Sequence, residues 1–243
     1  MGGPAPELRA GPLVFVDDLD APELSPDDLA HLRRSLRRGD GDPLCLADGV
    51  GAWRTAVLGG TGVDRLGPVH IEDSPRPPLT VGLAIPKGSR LDVAVAKLTE
   101  IGVDEVLLLG AERSVVRWAD SEVRRRIERL ERVARESAMQ CRRPRLPSIR
   151  GVVDVAGAVA SSPGEVALAE PGGAPPTLAT PVVLVGPEGG WAPAELAVDA
   201  PSVAFGPTVL RVETAAIAAG VALCGLRGGW LRSVTNHHGG SFH

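Results

Sequence analysis

The chain has 243 residues, 44% of them hydrophobic and 23% charged, with a formal net charge of −4. This suits one large or two modest globular domains with a real core, and excludes a collagenous, low-complexity or globally polybasic chain. Three widely spaced cysteines, Cys45, Cys141 and Cys224, show neither metal-ligand spacing nor a disulfide framework, which fits a reducing cytoplasm.

The start, Met1 to Glu7, has no basic-then-apolar signal pattern, and no apolar run nears the roughly 20 residues needed to cross a bilayer, so no membrane role is expected. Residues 8 to about 72 read as a small β-rich unit. Leu13–Val16 is the first predicted strand. A helix is expected over Asp27–Arg38, started at Ser25 or Pro26, with Leu29, Leu32 and Leu36 on its apolar face and Gly39 at its end. Pro43–Ala47 and Ala52–Leu58 flank Asp48-Gly49 and predict a hairpin, because Asp-Gly accommodates the positive φ of a tight turn. Val69–Glu72 is a closing strand. Arg33, Arg34, Arg37 and Arg38 crowd the helix end and read either as a solvated face or as an RNA-backbone patch.

Asp73-Ser74-Pro75-Arg76-Pro77-Pro78 cannot lie in a sheet or helix interior and is the expected boundary. Domains are therefore drawn at 1–73 and 74–232, with 233–243 as a disordered tail.

Beyond the boundary, strands and helices alternate, which predicts a mostly parallel α/β sheet. Leu79–Ile85 is a strand. Pro86-Lys87-Gly88 is a loop, and Ser89 with Asp92 predicts a capping box. Leu91, Val95, Leu98 and Ile101 form a helical face closed by Gly102, and Val103–Leu109 is the next strand. Asp120 is expected to cap a helix through about Met139 with Val123, Ile127, Leu130 and Ala134 inward. Its outer face carries Arg124, Arg125, Arg126, Arg129, Arg132 and Arg135, and Arg142, Arg143 and Arg145 follow. Such a basic segment in an acidic chain points to RNA or another polyanion, with a plain solvated surface as the alternative. Further strands are expected at Val166–Ala169, Val182–Val185 and Ser202–Phe205, and helices from Pro193 to about Asp199 and over Thr214–Leu226.

Two of these strands run into Gly-Pro: Gly186-Pro187-Glu188-Gly189-Gly190 and Gly206-Pro207-Thr208-Val209-Leu210-Arg211-Val212-Glu213-Thr214-Ala215. Ligands of parallel sheets bind at such strand ends. The loops lack a Lys-Ser/Thr phosphate grip, and Glu188 would repel phosphate. Glycines here permit close backbone approach to an uncharged, adenine-like ring, with Val185 and Leu210 as walls. Arg211 and Glu213 could pair with each other or hold a substrate base or its phosphate. No nucleophile–base pair or metal-ligand cluster is visible, so chemistry would rest on proximity and polar positioning.

These two loops resemble those of the SPOUT methyltransferases, and within them the chain is similar to the RsmE family, which methylates N3 of a uridine in 16S ribosomal RNA. The likeness extends through Pro86-Lys87-Gly88, Lys97–Val103, Glu112-Arg113-Ser114, Glu136–Arg143 and Pro147. It implies an α/β knot fold, with a deep C-terminal trefoil knot behind a small N-terminal PUA-like β-barrel that helps to hold RNA. It implies S-adenosylmethionine as methyl donor, no metal, 16S rRNA or the 30S subunit as partner, no DNA, and a cytoplasmic homodimer. The cofactor would lie against Ala169, Glu170, Val185, Gly186, Pro187, Gly189 and Gly190, and against Gly206, Leu210, Thr214 and Ala215. Arg211, Glu188 and Glu213 are the candidate catalytic groups. Arg33, Arg34, Lys87, Arg113, Arg142 and Arg143 are candidate RNA contacts. Val212 and Ala192 stand where the family often has hydroxyl residues. The open alternatives are another SPOUT RNA target, such as a transfer-RNA ribose, and a knotted RNA-binding protein without catalysis.

Overall fold

A computed structural model describes residues 5–60 and 62–232. The predicted tail over 233–243 lies outside the described residues.

The N-terminal unit is a five-stranded sheet: β1 (Leu13–Phe15), β2 (Pro43–Ala47), β3 (Ala52–Leu58), β4 (Val63–Asp64) and β5 (Val69–Ile71). β1 runs parallel to β2, β2 antiparallel to β3, and β4 and β5 pair with opposite ends of β3. The expected hairpin is present, with a longer connection than Asp-Gly alone. Asp48 Oδ1 accepts the N–H groups of Val50, Gly51 and Ala52 at 2.8–3.0 Å, so one carboxylate organises the whole turn.

The helix expected over 27–38 is much shorter. Ser25 caps α1 (Pro26–Ala30) by accepting the Asp28 N–H, but a single wider turn follows at His31–Ser35 and the chain reverses at Arg37, whose φ is 54°. Only Leu32 of the three predicted apolar residues is buried, and Leu36 is 42% exposed. Too little apolar surface faces inward to sustain three helical turns.

The remaining chain builds one six-stranded sheet: β6 (Thr80–Ala84), β7 (Glu105–Leu109), β8 (Ser148–Val153), β9 (Val166–Ala174), β10 (Val182–Val185) and β11 (Ser202–Val203). All neighbours are parallel, in the order β11-β9-β10-β6-β7-β8. The chain therefore starts in the middle, moves to one edge, and then fills the other side. The switch point falls between β6 and β10, where ligands of such sheets gather.

Helices α2 (Arg90–Ile101), α3 (Asp120–Cys141) and α6 (Val212–Arg227) cover one face, and α4 (Val155–Ser161) and α5 (Pro193–Leu196) the other. The strand pleat explains this division. Val183 and Val185 of β10 pack with Leu98, Ala216 and Leu223, whereas Val182 and Leu184 pack with Val155 and Trp191. α6 approaches α2 closely because Gly220 leaves room for Leu98, whose Cδ2 would lie 2.8 Å from an added Cβ.

Several predicted boundaries move. Ser89 precedes α2 with ψ of 4° and makes no side-chain cap; Asp92 instead pairs with Arg129 across to α3. Ala119 occupies the N-cap of α3, so Asp120 lies within its first turn and acts on the helix dipole. β9 runs on through Glu170 to Ala174, held by the Val203–Ala174 register with β11, so Ala169 does not end it. β11 stops at Val203, α5 at Leu196, and α6 begins two residues early, at Val212.

Candidate functional site

Because all six strands are parallel, the loops after β6, β7, β10 and β11 emerge along one edge of the sheet. At the switch point, the loop after β10 (186–190) faces the N-terminus of α2. Arg90, the first residue of α2, reaches both candidate acids: its Nη1 lies 3.4 Å from Glu188 Oε1 and its Nε 3.7 Å from Glu213 Oε1. Glu188 stands in the open, 45% exposed at its side chain, while Glu213 in the first turn of α6 is 15% exposed. Glu213 Oε2 is buried and has no hydrogen-bond partner. A buried carboxylate oxygen without a donor is costly, so this atom is set to receive one.

The loop itself is moulded by Trp191. Its ring is buried against the Cα of Gly186, where an added Cβ would lie 2.8 Å from Cε2, and its Nε1 donates to Ala169 O at 3.2 Å. Thus Ala169, expected as a cofactor contact, already holds the indole that shapes the loop. The Gly190 N–H returns to Pro187 O at 2.8 Å, and Arg113 Nη1 donates to Gly189 O at 3.2 Å, tying the loop after β7 to the loop after β10. Pro187 and Val185 are both buried, Val185 within the core beneath the loop.

The loop after β11 is different. Gly206 has nothing within 4 Å of an added Cβ and no positive φ, so the chain's own packing does not require glycine there. Leu210 is half-buried, and Ala215 packs at the edge of the core. Thr214 is exposed inside α6 and does not cap it; Arg211 is the N-cap residue, exposed, with no hydrogen bond or ion pair from its guanidinium among the described residues. The alternative of an Arg211–Glu213 pair is not realised, because Glu213 turns towards Arg90.

No thiol is poised as a nucleophile. Burial pushes Cys45 and Cys141 up, and Cys224 up to about 11. Among the described residues, no group of three or more His, Cys, Asp or Glu side chains could hold a metal. The arrangement offers an exposed cation, a half-sequestered carboxylate and glycine-lined backbone, which suits binding and orienting a substrate for direct transfer.

A model described as "RNA methyltransferase domain" matches residues 72–223. The chain belongs to this RNA methyltransferase family. It is 36% identical over 214 residues to a ribosomal RNA small subunit methyltransferase E of Mycobacterium bovis, covering 79% of this chain and 82% of that one. Among solved structures it resembles a probable rRNA-methyltransferase of Porphyromonas gingivalis, with a TM-score of 0.76, 28% identity, and 90% and 100% of the two chains covered. A Legionella pneumophila chain assigned as a methyltransferase and solved with the bound cofactor SAM gives 0.72, 25% identity, and 88% and 96% coverage.

The basic residues of this methyltransferase-family chain divide sharply. Arg143 is committed to the interior: it donates to Thr99 O at 3.0 Å and Val103 O at 2.8 Å and pairs with Asp104, and burial lowers its pKa. Arg33 pairs with Asp40 and donates to Gly59 O, bracing the end of β3. Both were candidate RNA contacts and both have structural partners instead. Lys87 and Arg34 are exposed, and Arg113 is exposed beside Gly189. Arg142 takes the left-handed C-cap position of α3, φ 63°, with Nη1 buried and without a partner.

Sequence reasoning missed Arg90. Only the β6–β10 adjacency places it between two acids more than 90 residues away. The loop-shaping role of Trp191 likewise has no signal in the sequence, since it depends on the ring folding back over Gly186.

Proposed function

We propose that the chain methylates N3 of a uridine in the 16S rRNA of the small ribosomal subunit. The chain is an S-adenosylmethionine-dependent rRNA methyltransferase; the atom and base are the finer part of the reading. What carries it is the switch-point cluster, where Arg90 is shared by Glu188 and Glu213 and one Glu213 oxygen awaits a donor.

The residues present fit the cofactor. Open space over Gly206 and Gly190, the backbone of 186–190 and the apolar surfaces of Val185, Leu210 and Ala215 would accommodate an adenosine, with Thr214, Gly189 and Glu170 at the margins. S-adenosylmethionine, when bound, supplies the electrophilic methyl group.

The chain's own task is to make a weak nucleophile available. A uracil N3–H must lose its proton, and its free pKa lies above neutrality. Glu213 accepts that proton or orients the base, with Arg90 holding its other oxygen. Arg211, exposed at the head of α6, stabilises the uridine anion or its phosphate. Glu188, more exposed, is the alternative acceptor. Lys87, Arg113, Arg34 and Arg142 supply cations for the RNA backbone, and the exposed arginines of α3 extend that surface.

Around this site we propose the C-terminal trefoil knot, supported by the way α6 leaves the β11 edge and returns to pack on α2 and β6. The five-stranded unit is proposed as a PUA-like barrel, with the boundary at residues 73 and 74, between β5 and β6. A cytoplasmic homodimer completes the reading; exposed Trp230, Leu231 and Val221 by α6 offer it apolar surface.

The test is methylation of 30S particles and 16S rRNA from a strain lacking this modification, with mass spectrometry of the modified nucleoside. 3-Methyluridine is expected; methyl transfer to a ribose or another base refutes the N3 claim and leaves the fold untouched.

A further inference from the structure

The molecule has a second cleft, away from the switch point, between the N-terminal unit and the C-terminal half of α3. Its volume is about 780 Å³. A cavity of several hundred cubic ångströms is of small-ligand size. Its apolar lining includes Leu36 and Met139. Arg38, Arg132 and Arg142 line the same cleft.

Two of these guanidinium groups are incompletely satisfied. Arg38 Nε and Arg142 Nη1 are buried, and neither has a hydrogen-bond partner. Buried N–H donors of a permanently charged group are expensive to leave unpaired. The acids of the cleft do not supply the missing partners. Asp28 is engaged by Arg135 at 3.1 Å and by the Ser25 hydroxyl, while neither Asp27 nor Glu136 is within bonding distance of those two atoms. Backbone geometry holds both arginines in place. Arg38 N–H closes on Leu32 O just after the reversal at Arg37, and Arg142 sits in the left-handed cap of α3.

Apolar side chains beside incompletely paired guanidinium groups match a single unstacked nucleotide, with its base on the apolar groups and its phosphate on the cations. RNA is read in this way where bases are splayed from single-stranded segments. We propose that this cleft binds one unpaired nucleotide of the substrate rRNA, its phosphate on Arg38 and Arg142 and its base against Leu36 and Met139. This rests on the rRNA reading above and adds to it a second anchoring point, remote from the methylated base. Proteins recognising an RNA segment at two such points fix its register as well as its affinity.

The experiment uses the full chain with unmodified 16S rRNA transcript. Filter binding is measured across a KCl series for the wild type and for a variant carrying Arg38→Gln and Arg142→Gln. Affinity is expected to fall on the order of tenfold, and the slope of log K against log salt to flatten by roughly 0.7, the contribution of one single-strand phosphate contact. Calorimetric binding of S-adenosylmethionine should be unchanged, which also certifies the fold. In parallel, wild-type protein is cross-linked to 4-thiouridine-substituted transcript and digested. Cross-links to peptides containing residues 31–38 or 132–142 are expected. A variant with wild-type affinity and slope, or cross-links confined to the switch-point loops, overturns the cleft assignment while the methyltransferase reading stands. Failure of the wild type itself to bind or methylate the RNA overturns that reading and this one with it.

Discussion

At the scale of single residues, two glycines in matching Gly-Pro loops have opposite roles. Gly186 is demanded by the chain, since a Cβ there would press on the buried Trp191 ring at 2.8 Å. Gly186→Ala should cost about 1–3 kcal/mol in urea unfolding through overpacking. Gly206 is not demanded by the chain, so Gly206→Ala should leave stability within about 0.5 kcal/mol. Its affinity for S-adenosylmethionine should nevertheless fall on the order of tenfold, read by calorimetry; undiminished affinity would remove Gly206 from the cofactor surface. Arg90→Gln gives a third case. Its ion pairs are partly exposed, so little stability is at stake. Turnover should drop at least about tenfold through loss of the hold on Glu213, with KM for RNA little changed. Arg211→Ala should lose turnover while keeping cofactor binding, and loss of cofactor affinity would reassign it.

At the scale of elements, the long apolar runs were legible and the ends were not. β10 was placed correctly at Val182–Val185 because a strand buried on both faces must be apolar throughout. The helix at 27–38 looked sound by spacing, yet Leu36 stays 42% exposed. Spacing shows which residues could share a face; it does not show whether another element covers that face. The same blindness hid the role of Arg143, which reads as part of a basic run and is a strut. It meets Asp104 together with Arg227, whose side chain is 7% exposed. Asp104 also accepts the Leu79 N–H at 2.9 Å, so one carboxylate fastens the ends of α3 and α6 to the start of β6. Asp104→Ala would strand two buried guanidinium groups and should cost about 3–5 kcal/mol in urea unfolding. A cost under about 1 kcal/mol would mean these pairs behave as surface salt bridges.

At the scale of the whole molecule, the proline-rich stretch suggested two separable units, and no periodicity indicated how firmly they join. The connection runs through α3. Its middle turns cover the large sheet with Leu130 and Ala134. Its last turn packs Ala138 and Met139 into the N-terminal cores. Arg135 donates to Phe15 O at 2.9 Å, lies over the Phe15 ring and pairs with Asp28. One helix thus belongs to both cores, and neither core is complete without it. The units should therefore unfold together. Tryptophan fluorescence, with Trp53 in one unit and Trp118 and Trp191 in the other, should follow the same urea transition as far-UV circular dichroism. Alkaline pH supplies an independent handle on the larger core. The Cys224 thiol is raised from 9.0 to about 11 by burial, so the folded state holds its proton more tightly than the unfolded state. The associated stability is fully present below about pH 9 and is lost as pH rises through 11, on the order of 2 kcal/mol. If the shared helix couples the units, this loss moves both probes together. Two resolved transitions, with only Trp53 insensitive to the alkaline shift, would show that the proline segment and not α3 sets the cooperative boundary.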